Sequence, residues 1–190
     1  LRTDGIALPG REEKRALLIA EFERYIFACT HLSLTEEDRM ASLKIIREQA
    51  SKAGKPFFIA GDLNAIPDSD FIKELGKDFR ILSNPEHKTF PADTPDRTLD
   101  YIAVWKGTAP LFSVTSKRVL EEATASDHRP VEVVLRTAID ADKVFRTKPY
   151  LQNPTDGGMT IMWETIIPTY SWVEFGTFVG FMESHDEERL

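Results

Sequence analysis

The stretch Phe57-Phe58-Ile59-Ala60-Gly61-Asp62-Leu63-Asn64 constrains this chain more than any other. Four apolar residues in a row, two of them aromatic and one β-branched, fit a buried strand. The run breaks at Gly61, so a carboxylate and an amide stand where the strand ends. Strand ends are places where a rigid sheet can hold polar groups while the following loop leaves them open to water and substrate. A Gly-Asp turn with Asn64 as a local cap would use the same residues for stability alone. The meaning of the stretch therefore depends on what else the chain brings to that end of the sheet.

Upstream, residues 1–14 are polar and carry Gly5, Pro9 and Gly10, which predicts a loop entering the first strand. Residues 15–22 and 24–30 are apolar runs that predict a hairpin, and His31 stands at the end of the second. Cys29 falls within that run as a small buried side chain. Thr35 followed by Asp38 predicts a helix start, Met40, Leu43, Ile46 and Ala50 keep one apolar face, and Gly54 ends the helix. The order strand, helix, strand is that of a parallel pair. If the two strands pair so, His31 and Asp62 share one end of the sheet.

Downstream, residues 67–76 predict a short helix with Phe71, Ile72 and Leu75 turned inward, and residues 78–89 an irregular segment. Residues 97–105 and 112–120 predict strands. The alternating Val131, Val133 and Leu135 predict a last strand, preceded by Ser126-Asp127-His128-Arg129-Pro130. A first domain is expected over residues 1–137, a linker over 138–148, and a truncated β domain over 149–190, with Asp156-Gly157-Gly158 as a turn before strands at 159–164 and 171–176. The acidic end around His185 is expected to be solvated.

Composition narrows the partners. The net charge of −7 gives no basic footprint for tight non-specific nucleic-acid binding, and one cysteine allows no internal disulfide. No stretch is apolar and long enough to span a membrane as a helix.

His31, Asp62 with Asn64, Asp100, and Asp127 with His128 thus follow four separate apolar runs or their loops. Each alone has a structural use. Together they are hard to explain by stability, because folding gains little from converging charges. Such a group suits phosphoryl hydrolysis: oxygen ligands favour Mg²⁺ or Mn²⁺, a His paired with a carboxylate makes an effective general base, and an Asn can donate to a phosphate oxygen without adding charge.

Thr30-His31-Leu32, Gly61-Asp62-Leu63-Asn64, Leu99-Asp100-Tyr101-Ile102 and Ser126-Asp127-His128-Arg129-Pro130, in this order, resemble the C-terminal half of the endonuclease/exonuclease/phosphatase (DNase I-like) superfamily over residues 10–137. The resemblance implies an α/β sandwich of four layers and a divalent-metal-dependent phosphoesterase. It implies His128 as general base or phosphate stabiliser oriented by Asp100, and Asp127 as a metal ligand. Asp62 and Asn64 would place the water and the phosphate, with Asp62 also on the metal, and His31 would stabilise phosphate charge. The family's first half, with an Asn and a metal-binding Glu, has no counterpart in these 190 residues. The chain is thus expected to be part of an enzyme whose uncovered apolar face could self-associate, the alternative being a fragment that is silent until it meets a missing half. The substrate class stays open among phosphorylated small molecules, lipid headgroups and nucleic acid.

The stretch 149–160, with Met162-Trp163 and residues 170–176, resembles the start of the fibronectin-III-like domain that precedes the catalytic domain of purple acid phosphatases. Two phosphoesterases in one parent would suit an exported, periplasmic or extracellular, phosphate-scavenging protein.

Overall fold

The computed structural model describes residues 1–108, 112–137, 145–166, 172–175 and 183–186. The chain divides into two units, Leu1–Ala138 and Ile139–Leu190. The first is built on a six-stranded sheet of β1 (Arg2–Leu8), β2 (Arg15–Glu21), β3 (Ile26–His31), β4 (Phe57–Asp62), β5 (Phe79–Ile81) and β6 (Asp100–Trp105), in the order β1-β2-β3-β4-β6-β5. Only β3 and β4 run parallel, and α1 (Glu36–Lys52) makes the crossover between them. A second helix, α2 (Asp70–Asp78), follows β4, its first turn capped by the Ser69 hydroxyl, which accepts from the Ile72 N–H.

Residues directly opposite each other in a sheet share a face, and successive residues alternate. One face carries Leu17, Ala28, Ile59, Tyr101 and Ala103, all at most 2% exposed, packed in one core with Leu43, Ile46 and Ala50 of α1 and Phe71, Ile72 and Leu75 of α2. The opposite face carries Leu18, Cys29, Ala60 and Ile102 in one row and Phe27 and Phe58 in the next. Here Leu18 and Cys29 are exposed, and Leu18 keeps 56% of its surface. Part of this face is covered by a hairpin of β7 (Phe112–Val119) and β8 (Val131–Thr137), whose Phe112 ring lies 6.1 Å from that of Phe58.

Several expectations change. Arg2–Leu8 is an edge strand rather than a loop: it pairs along its whole length with β2, while only Ile6 and Leu8 reach the core, so its sequence shows little alternation. Phe79–Ile81 adds a short edge to β6 within the segment expected to be irregular. Cys29 is exposed because alternation in β3 gives the helix-covered face to Ile26, Ala28 and Thr30. The Thr35 side chain makes no cap bond. Asp38 instead accepts from the Ser33 hydroxyl and the Arg11 backbone N–H, and the freed Thr35 N–H donates to Ser33 Oγ.

In the second unit β9 (Phe145–Thr155) pairs with β10 (Gly158–Thr165) through the turn at Asp156-Gly157. β9 begins inside the expected linker, and residues 138–144 of that linker lie outside the described residues. Of the acidic end, Glu183–Asp186 forms a strand paired with Trp172–Phe175, and residues 187–190 lie outside the described residues.

Candidate active site

The site is assembled by register before any side chain is considered. His31 pairs with Asp62 in the parallel ladder, and Asp62 pairs with Asp100 in the antiparallel one, so three polar residues form one row across β3, β4 and β6. The row lies on the face away from the helices. The ladder continues past it, for the Leu32 N–H donates to the Asp62 carbonyl and the Leu63 N–H to the Leu99 carbonyl.

Gly61 makes the row possible. It lies inside β4 with φ +142°, and a Cβ there would sit 1.9 Å from the Thr30 carbonyl oxygen. Only glycine allows that approach. Beyond it the chain turns sharply at Asn64, in the left-handed region at φ +48°. The turn is fastened by the Asn64 N–H donating to Asp62 Oδ1 at 2.7 Å and the Asn64 side-chain amide donating to the Leu32 carbonyl at 2.8 Å. Asn64 therefore secures the strand ends here.

The fourth residue arrives from the loop before β8. His128 Nδ1 lies 2.8 Å from Asp100 Oδ2 and its Nε2 3.7 Å from Asp62 Oδ2, while His31 Nε2 approaches the same Asp62 oxygen at 3.3 Å. One carboxylate thus stands between two imidazoles, and a second holds the far side of one of them. A carboxylate on Nδ1 fixes the tautomer with Nε2 turned to the site. The loop is held by Ser126 Oγ, which accepts from the His128 N–H, and by the Phe90 ring, 4.7 Å from the imidazole.

Burial pushes the Asp62 carboxyl above its ordinary value, and the Asp100 charge adds to this, while the Asn64 N–H and both imidazoles pull it down. At His128 burial favours the neutral ring, but the bond from Asp100 and the charges of Asp100, Asp62 and Asp127 outweigh it, raising the imidazole above its ordinary value. Burial and the charges of Asp100 and Asp62 push the Tyr101 phenol up, so it stays a neutral donor to the Ala65 carbonyl at 2.8 Å.

Asp127 stands apart from this row. It is exposed, and its Oδ1 accepts from Ser126 Oγ at 3.3 Å. Among the described residues no three His, Cys, Asp or Glu side chains come together as a cation site. Asp62 has one oxygen on Asn64 and the other between two imidazoles, and Asp100 is taken up by His128. The donors present do not by themselves make a Mg²⁺ or Mn²⁺ site. Sequence reading also passed over Thr89, whose hydroxyl accepts from the Leu99 and Asp100 N–H groups; no motif marks such a residue.

Residues 6–128 match the model of the Endonuclease/Exonuclease/phosphatase family. Similar solved structures include an endonuclease/exonuclease/phosphatase family protein from Bacteroides thetaiotaomicron (TM-score 0.60, 18% identity, 73% of this chain and 65% of that one). Others are the endonuclease/exonuclease/phosphatase from Bacteroides vulgatus (0.53, 23%, 66% and 56%) and the human Nocturnin catalytic domain with a bound sulfate anion (0.53, 21%, 73% and 59%). The chain thus spans less than two thirds of the length of these structures. No curated protein sequence matches it. At these identities the likeness establishes a mixed, sheet-rich α/β fold of the DNase I-like kind.

Proposed function

The chain belongs to the endonuclease/exonuclease/phosphatase family, and on that premise we propose that it supplies the His/Asp centre of a phosphoester hydrolase. The observation that carries this reading is the convergence of His31, Asp62, Asp100 and His128 from four separate segments, with contacts of 2.8, 3.3 and 3.7 Å. Stability alone does not call for it, since it places a carboxylate with a raised pKa between two imidazoles.

In this reading His128, held by Asp100, takes a proton from the attacking water at Nε2 when neutral and stabilises phosphate charge when protonated. Asp62 orients the water, and His31, the more exposed imidazole, faces a phosphate oxygen. Asn64 holds the turn and offers an amide donor. Family membership implies a divalent cation, Mg²⁺ or Mn²⁺, with Asp127 and Asp62 as its ligands from this chain. Those two do not meet as a cation site among the described residues, so no step here is routed through the metal. Among similar folds one is a mannosyl-6-phosphatase from Bacteroides thetaiotaomicron and another a D. rerio TDP2 complexed with a single-strand DNA product. For this chain the net charge of −7 favours a small phosphodiester, phosphomonoester or lipid headgroup over long nucleic acid.

A second reading is favoured by the incomplete cation site: the chain is silent alone and works only when a partner adds ligands. Hydrolysis of bis-p-nitrophenyl phosphate with Mg²⁺, with Mn²⁺ and with chelator separates the two. Turnover that chelator abolishes supports a metal-dependent hydrolase; a folded chain that shows none under any condition supports the second reading. For residues 149–190 we propose the opening of a fibronectin-III-like domain, a reading supported by paired strands in the second unit.

A further inference from the structure

The two members of the dyad, Asp100 and His128, come from segments 28 residues apart, and a third segment is bonded to both. Thr89 is 1% exposed. Its Oγ1 accepts from the Leu99 N–H at 3.1 Å and from the Asp100 N–H at 3.3 Å, which fixes the start of β6 where Asp100 enters the sheet. Its carbonyl accepts from the Arg129 N–H at 2.7 Å, one residue past His128, while its own N–H donates to the Arg97 carbonyl at 2.9 Å. The same short segment continues the grip. The Ala92 N–H donates to the Asp127 carbonyl at 2.7 Å, Arg129 Nε donates to the Ala92 carbonyl at 2.7 Å, and Phe90 lies against the His128 ring.

We propose that Thr89 is a positioning residue for the reaction, whose buried hydroxyl and carbonyl set Asp100 and His128 in register with each other. The inference rests on the His128–Asp100 reading of the site and goes beyond it by naming what holds the pair at 2.8 Å. The reason is geometric. Asp100 begins its strand, so its N–H is where the ladder would otherwise fray, and a side-chain acceptor there does what a neighbouring strand does elsewhere. A buried N–H left without an acceptor is costly, so the strand start must move if the hydroxyl is lost. Because the Thr89 carbonyl also holds the Arg129 N–H beside His128, such a shift changes how Asp100 and His128 meet, and reacting groups tolerate little misplacement.

The test is proton NMR of the intact chain, reading the downfield imidazole N–H signal of the His128–Asp100 hydrogen bond. Asp100→Asn serves as the reference that removes it, and thermal unfolding is measured alongside. Thr89→Val should broaden or lose the signal while unfolding remains cooperative, and Thr89→Ser, which keeps the hydroxyl, should retain it. Where the chain turns over bis-p-nitrophenyl phosphate, Thr89→Val should lower kcat by about 10²-fold with little change in KM, since the loss is of alignment and not of binding. An unchanged signal in Thr89→Val would overturn the proposal. A signal that survives in Asp100→Asn would instead overturn the dyad, and the proposal with it. Should Thr89→Val fail to fold, amide exchange of the unsubstituted chain decides: slow exchange at both Leu99 and Asp100 is expected, and fast exchange at Asp100 contradicts the role.

Discussion

The two faces of the six-stranded sheet are made from the same strands by alternate residues, and they do opposite work. On the helix-covered face Leu17, Ile59, Tyr101 and Ala103 are closed off from water; on the other, Leu18 and Cys29 are open and His31, Asp62 and Asp100 form a polar row. The first face is where stability is concentrated. The second carries groups that stability alone would not select, including a carboxyl whose pKa is raised by burial. Division of labour by face lets one rigid sheet support both, since a change on one side need not disturb the other.

The largest effect should come where the two faces share backbone. Gly61→Ala would drive a Cβ into the Thr30 carbonyl, so no cooperatively folded chain is expected by circular dichroism; a folded variant would mean that the β3–β4 approach is looser than described. Next come two neighbours on β2. Leu17→Ala should cost about 2–5 kcal/mol in denaturant unfolding as a core truncation, whereas Leu18→Ala should fall within about 0.5 kcal/mol. Equal costs would show that Leu18 is covered in solution.

Smaller effects lie in the polar row. The Asp62 carboxyl is raised in the folded state, so its protonated form is favoured there: its contribution to stability is greatest below the ordinary carboxylate range and is lost as pH rises through the raised value. At neutral pH the charge is a burden, and Asp62→Asn should unfold at a higher temperature than the unsubstituted chain while losing turnover. A lower unfolding temperature would mean that the carboxylate is held by more than the Asn64 N–H and two imidazoles. His128 is also raised, so stability from its protonated form is present below the ordinary imidazole value and lost as pH rises through the folded value. As a general base it works when neutral, so the rate should climb with pH across a limb displaced above about 6.5. Asp100→Asn should move that limb to lower pH in whatever turnover remains, and an unmoved limb would detach Asp100 from His128.

Much of this was legible in the chain. The β3-α1-β4 unit announces itself by apolar runs of the right lengths around a periodic segment, and that unit alone places His31 beside Asp62. Asp100 and His128 could be named because each follows or precedes a strand-like run. What was hidden has physical reasons. β1 is an edge strand whose pairing is backbone to backbone, with Gly5 at its centre. β5 is three residues long. The exposure of Cys29 depends on which side of β3 the helices take, and an apolar strand does not say. Thr89 works by accepting backbone N–H groups, a role many residue types share and no spacing reveals. The fold itself, as matched over residues 6–128, follows the family resemblance that the four motifs carry.

The measurement that tests the central claim most directly is hydrolysis of bis-p-nitrophenyl phosphate by the unsubstituted protein, His128→Ala and Asp127→Ala, in the intact chain or in a longer protein containing it, with circular dichroism on each. Turnover that drops by about 10²–10⁴-fold in an equally folded His128→Ala is the predicted result, while Asp127→Ala reports separately on the cation that family membership implies. Near-normal turnover in a folded His128→Ala would contradict it, and the row of His31, Asp62 and Asp100 would then have to be read as structure rather than chemistry.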